Sequence, residues 1–169
     1  LIGAISKIQT PQTINLTTTV SLSLVNGKEY SILFWAQNPE SASTIDWTNR
    51  TMSYDPKTAN KETYDAFFAY VPTFKVAGSV DKNVTLKRPF AQLNIGTDDM
   101  EVAELAGMTV KETKVVVSGD IYSTLDLVSG KVSAPVATSQ TYALSSIDDL
   151  ADETFPVKDN DYMSMNYLL

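Results

Sequence analysis

Neighbouring carboxylates are the most obvious candidates for chemistry in this chain: Asp98 with Asp99, Asp148 with Asp149, and Asp159 with Asp161. Glycoside hydrolysis needs two carboxyl groups about 5 to 10 Å apart across a cleft, one protonating the leaving group and one attacking or activating water. Acids adjacent in a connector point to different sides and face water, so each pair reads as a solvated turn. The oxygen-rich Asp159-Asn160-Asp161 would suit a hard cation, but the spaced ligand series and closing Glu of a calcium loop are missing. Ser79-Val80-Asp81-Lys82 carries the letters of a Ser-x-x-Lys nucleophile motif. That motif needs a helix to bring the lysine onto the serine, and here it lies in a Gly78-led turn between strand-like segments. The match reads as chance. No glycine-rich, phosphate-cradling loop is present.

Composition narrows the chemistry further. The chain has no histidine and no cysteine. It therefore lacks the commonest general base, the usual transition-metal ligands and a thiolate nucleophile, and a Ser-His-Asp triad is excluded. The expectation is a protein that is not an enzyme and uses no cofactor and no metal. A net charge of −7 speaks against nucleic acid as a partner, since phosphate binding needs clustered Lys and Arg. No run of about 18 apolar residues exists, so no helix of this sequence spans a membrane. Asn15, Asn49 and Asn83 each open an Asn-x-Thr triplet, which arises by accident in a Thr-rich chain.

Aromatic side chains offer a different activity. Trp35, Trp47, Tyr54 and Tyr64 could form a platform that stacks on a sugar ring, with Trp47 and Tyr54 in a long loop as the candidate ligand contacts. That is the alternative function, a surface glycan-binding β-sandwich module. The competing reading, which the residues favour, packs Trp35 in the core and uses the others to cover the loop.

The elements that would position these residues are strands. From 16 to 25, Leu16, Val20, Leu22 and Leu24 share one parity, while Thr17, Thr19, Ser21 and Ser23 share the other. This predicts a strand with one buried and one wet face. Asn26-Gly27 predicts a type I′ hairpin into Tyr30-Ser-Ile-Leu-Phe-Trp-Ala36, whose apolar residues on both parities predict a central strand covered on both sides. Residues 37–63 are rich in turn formers, with short strand pieces at 45–47 and 51–54. Segments 64–68 and 74–76 read as strand or helical turn. Strand alternation over 84–95 switches parity after Pro89, predicting a bulge or a change of sheet, with Ala91, Leu93 and Ile95 as the apolar face. A capping box with Asp98 as N-cap and Glu101 at N3 predicts one short helix at about 98–106, stopped by Gly107. Further strands are predicted at 108–117, 121–128, 141–144 and 162–169, with turns at Ser118-Gly119-Asp120 and Ser129-Gly130. An acidic connector (Asp148, Asp149, Asp152, Glu153) precedes the last of them. Short strands, frequent turns and one helix describe an all-β sandwich of two antiparallel sheets, in one domain spanning 1–169.

Two stretches resemble a known family. Tyr30-Ser-Ile-Leu-Phe-Trp-Ala-Gln-Asn38 resembles a strand of the fimbrillin-like proteins of Bacteroides-type bacteria. Asp65-Ala-Phe-Phe-Ala69 followed by Val84-Thr-Leu-Lys-Arg-Pro-Phe-Ala-Gln-Leu-Asn-Ile-Gly-Thr97 resembles their Asp-Ala-Phe and Leu-x-Arg-x-x-Ala-x-Leu segments in order and spacing. The resemblance implies a transthyretin-like antiparallel β-sandwich, the N-terminal domain of a type V pilin or related surface lipoprotein. It also implies a fragment of a longer, two-domain precursor that is exported to the cell surface, fimbrium or outer membrane. The partners it implies are other pilin subunits joined by β-strand addition, and a host or bacterial surface ligand. The lipid-acceptor Cys, the opening strand and the C-terminal domain of that pattern are not in this sequence.

Overall fold

The computed structural model describes residues 17–133, 135–150 and 160–169. Asn15, Leu16, Asp152, Glu153, Asp159 and the side chain of Asp149 lie outside the described residues. In chain order the elements are β1 (Glu29–Gln37), β2 (Thr44–Asp46), β3 (Thr51–Ser53), β4 (Ala66–Lys75), β5 (Ala91–Thr97) and helix α1 (Met100–Leu105). There follow β6 (Glu112–Thr113), β7 (Val116–Ile121), β8 (Thr124–Asp126), β9 (Ala137–Thr141), β10 (Ser145–Ser146), the helical turn α2 (Ile147–Leu150) and β11 (Asp161–Leu168). The pairings are β1 with β4, β2 with β3 and β3 with β8, β5 with β11, β6 with β10, and β7 with β9. All are antiparallel. The fold is all-β, as the strand and turn pattern predicts.

The predicted hairpin of 16–25 with 30–36 does not form. Residues 17–25 are not a strand, and most of them are exposed. The turn itself is present: Lys28 N–H donates to the Val25 carbonyl at 3.3 Å, and Gly27 sits at φ +79°. A type I′ turn requires positive φ at both central residues, but Arg50 is the only non-glycine residue with positive φ among those described. With Asn26 at negative φ the turn has type II character, which splays the flanking chains instead of matching their twist. The partner of β1 is β4 instead, and the ladder runs on past the strand end: Gly27 N–H donates to Val76 O (2.8 Å), and Val76 N–H to Lys28 O (2.9 Å).

Other expectations shift in smaller ways. Of the pieces 64–68 and 74–76, residues 66–68 and 74–75 form the two ends of one strand, β4, while Tyr64 closes a helical turn just before it. Residues 84–88 contribute only a single bridge, Lys87 to Phe68, before the chain changes sheet at Pro89 and enters β5. On β5 the predicted core face is turned outward: Leu93 and Ile95 are 39% and 45% exposed. Gln92 and Asn94 lie instead beside the buried Tyr167 and Met165 of β11. Helix α1 starts one residue later than predicted, with Asp99 as N-cap and no side-chain cap bond. Its end is as expected: Gly107 at φ +78° donates to Glu104 O (2.9 Å), and Met108 N–H donates to Ala103 O (2.9 Å), a Schellman closure. Gly119 sits inside β7 at a register shift, so the predicted turn at 118–120 is a bulge. Ser129-Gly130 does form its turn, closed by Gly130 N–H to Asp126 O at 2.8 Å.

The small sheets share one core. Met52 of β3, Leu125 of β8, the adjacent Leu127, Phe90 ahead of β5, and Met165 and Tyr167 of β11 are all buried in the same cluster. Tyr54 stands at its centre, edge-on to Phe90 (5.0 Å between ring centroids) and to Tyr64 (6.2 Å). Such pairs add about 0.5–1.5 kcal/mol beyond area burial. Because Leu127 is fully buried, Leu127→Ala should lower the unfolding free energy by about 2–5 kcal/mol in urea titrations. Burial pushes the Tyr54 phenol up to about 12 and raises Tyr142 as well. Unfolded tyrosine titrates near 10, so above that pH the unfolded state loses protons that the fold retains. Stability should therefore fall as pH rises from about 10, and Tyr54→Phe should flatten that fall in alkaline unfolding curves followed by far-UV circular dichroism.

Candidate functional site

The two aromatic ligand candidates are not brought together. Trp47 follows β2 at the hairpin turn and is 37% exposed, whereas Tyr54 follows β3 at the hairpin's open end and is buried in the core. With Asp46 paired to Thr51 and Thr44 to Ser53, the two residues stand at opposite ends of the hairpin, roughly 10 Å or more apart. The turn beside Trp47 is held by Asp46, whose carboxylate accepts from Thr48 N–H (2.9 Å), Asn49 N–H (2.9 Å) and Asn49 Nδ2 (2.7 Å). The Asn49 amide bonds hold the Asp46 carboxyl below its ordinary range. Asp126 braces the next turn in the same way through Ser129 and Val128. Among the described residues, no three His, Cys, Asp or Glu side chains converge as metal ligands would.

What the structure does assemble is the segments that carry the family resemblance. In the β1–β4 ladder Gln37 faces Ala66, Ala36 faces Phe67, Trp35 faces Phe68 and Phe34 faces Ala69. The first motif string is therefore the cross-strand partner of the second. The third string joins at Lys87, which exchanges two 2.9 Å backbone bonds with Phe68. Arg88 then reaches back, its Nη2 donating to Asp65 Oδ2 at 2.7 Å while its guanidinium lies 5.3 Å from the Phe67 ring centroid. The bond to Asp65 is the first reason the Arg88 guanidinium holds its proton more tightly than usual. Lys82 sits 5.9 Å from the Phe74 ring at the other end of β4.

The faces of this ribbon follow from its register. Paired residues share a face and successive residues alternate. Leu33, Trp35 and Phe68 point one way and pack against the core cluster, with Trp35 and Phe68 tilted at 6.4 Å. The Trp35 indole N–H is satisfied by Gln37 Oε1 at 2.7 Å. Tyr30, Ile32 and Phe34 point the other way, beside Phe74, Val71, Ala69 and Phe67; the register shift between Tyr30 and Ile32 keeps Phe74 on this side. Of these only Val71 is buried, and the rest are half-buried. A run that reads as a central strand is thus an edge strand, with β4 as its sole partner among the described residues. Its outer row of N–H and C=O groups is a pairing template.

Residues 4–169 match DUF6562, described as a family of unknown function. The chain belongs to that family. No curated protein and no solved structure matches it. Membership in DUF6562 assigns no activity.

Sequence patterning points to β1 and β4 but not to the cations that flank them. Arg88 and Lys82 sit in a segment whose alternation suggests an ordinary strand, and only tertiary contact reveals them over the two Phe rings. Asp65 Oδ1 is buried without a hydrogen bond among the described residues, so Arg88 is its main compensation. Arg88→Ala should lower stability by about 1 kcal/mol in urea titrations, a modest figure because the guanidinium is half exposed. Arg88→Lys should fall between the two, and an unchanged midpoint for Arg88→Ala would show the pair to be idle.

Proposed function

We propose that this DUF6562 chain is a structural subunit of cell-surface fimbriae, a pilin or an accessory or tip subunit, that assembles by accepting a β-strand from a neighbouring subunit. One observation carries the reading: among the described residues β1, apolar on both parities over residues 30–36, is an edge strand with half-buried side chains on both faces. A strand with this composition is normally found between two partners. Adding one supplies a ladder of backbone bonds and buries alternate side chains, contributing about 25 cal/mol for each Å² of apolar surface removed from water. No general base, nucleophile or cofactor is needed for such a role, in keeping with a chain that has neither His nor Cys. The fimbrillin resemblance supports the same reading, since its motif strings are the ones that meet in the β1–β4 ribbon and its β4-edge bridge.

In the cells that express it, the protein should be displayed at the surface as polymer. In that polymer, hydrogen exchange should slow by about tenfold or more at alternate amides of β1, those facing away from β4. Polymer without new protection in β1, or neither polymer nor surface exposure, would sink the proposal.

A further inference from the structure

Residues 20–25 have the pattern of a strand and do not form one. Val20, Leu22 and Leu24 alternate with Ser21 and Ser23, and no charged residue, Pro or Gly falls between positions 16 and 25. Such a segment is ready to join a sheet edge, because it carries none of the residues that discourage pairing. Val20, Leu22 and Val25 are nevertheless 38%, 36% and 61% exposed, and none of the six residues belongs to a strand.

The turn at Asn26-Gly27 explains why this segment does not lie on its own β1. A two-residue hairpin closes with Lys28 N–H on Val25 O and Val25 N–H on Lys28 O. The first bond is made, but Val25 N–H donates to Tyr30 Oη at 3.1 Å, and Lys28 O accepts from Val76 N–H at 2.9 Å. Gly27 N–H donates to Val76 O at 2.8 Å, and Asn26 Oδ1 accepts from Gly78 N–H at 3.1 Å. These bonds pin the turn to the stretch that follows β4, on the closed side of β1. The open edge lies on the other side of β1, so residues 20–25 reach it in their own copy only by breaking them.

We infer that residues 20–25 of one copy pair along the open edge of β1 in a second copy, with Asn26-Gly27 as the hinge. This pairing rests on the strand-acceptor reading and names the donor strand. At about 3.3 Å per residue, the six residues span roughly 20 Å, within the length of the nine-residue β1. Only the core side of β1 offers a buried layer. Alternation therefore sets Val20, Leu22 and Leu24 beside Leu33 and Trp35 and leaves Ser21 and Ser23 wet. Donor and acceptor are different surfaces, so the exchange can close as a pair or run on from copy to copy.

The test is Ser21→Pro in the full chain, since proline removes a ladder donor and is not accommodated in a paired strand. Ser21 is exposed and outside every strand and helix, so the variant's urea midpoint should match the parent's. Self-association followed by sedimentation should weaken by about tenfold or more. The β1 amides facing away from β4 should also lose the exchange protection they gain in the associated parent. Leu22→Ser should weaken association by a similar factor of about ten, and it serves as the second variant should proline disturb folding. A parent chain that does not associate, association indifferent to both variants, or β1 protection that persists on dilution to monomer overturns the inference. Protection of β1 in an assembly that both variants leave intact would keep the strand-acceptor reading and put the donor elsewhere. Association lost in both variants, with no β1 protection in the parent, would overturn both readings.

Discussion

The antiparallel ladder between β1 and β4 is the constraint from which the candidate site follows. Its register puts Leu33, Trp35 and Phe68 against the core and leaves Ile32, Phe34, Phe67 and Phe74 on the far side. Once one face is anchored in the core, the other cannot be, because side chains alternate and a two-stranded ribbon has no third layer of its own. The half-covered aromatic surface is therefore a geometric result of the pairing. Lys82 and Arg88 partly cover it, placing hydrated charge over rings that would otherwise be open to water.

Elsewhere in the fold, acidic and aromatic side chains are taken up by structural roles. Asp46 and Asp126 are engaged in holding turns, Asp65 in compensating Arg88, and Tyr54 in filling the core. Of these, Tyr54 alone is a ligand-contact candidate from the sequence. In place, each satisfies backbone donors, a cation or a packing vacancy. Polar groups near the interior must find partners, and structural duty absorbs them first.

Parts of the fold were legible from local rules. The strand pieces at 45–47 and 51–54, the strand after Pro89, the last strand, the glycine that ends α1 and the Ser129-Gly130 turn all rest on backbone preferences of a few neighbouring residues. What failed was partner choice. Asn26-Gly27 suits two turn types, and with the one formed residues 17–25 do not pair with β1 as a strand. Gly119 reads as a turn residue, yet its neighbours continue as a strand and it becomes a bulge. Leu93 and Ile95 share a face as alternation requires. Which face meets the core was decided by β11, whose Met165 and Tyr167 lie beside Asn94 and Gln92.

By itself the sequence determined an all-β chain, the apolar character of residues 30–36, and the absence of imidazole and thiol chemistry. These depend on composition and on short-range periodicity, which need no distant partner. Only the tertiary structure decided that the apolar strand stands at an edge among the described residues, that two cations sit over Phe67 and Phe74, and that α1 presents its apolar stripe to water. Those outcomes depend on which strand captures which, and segments of near-equal strand propensity compete for partners across the whole chain.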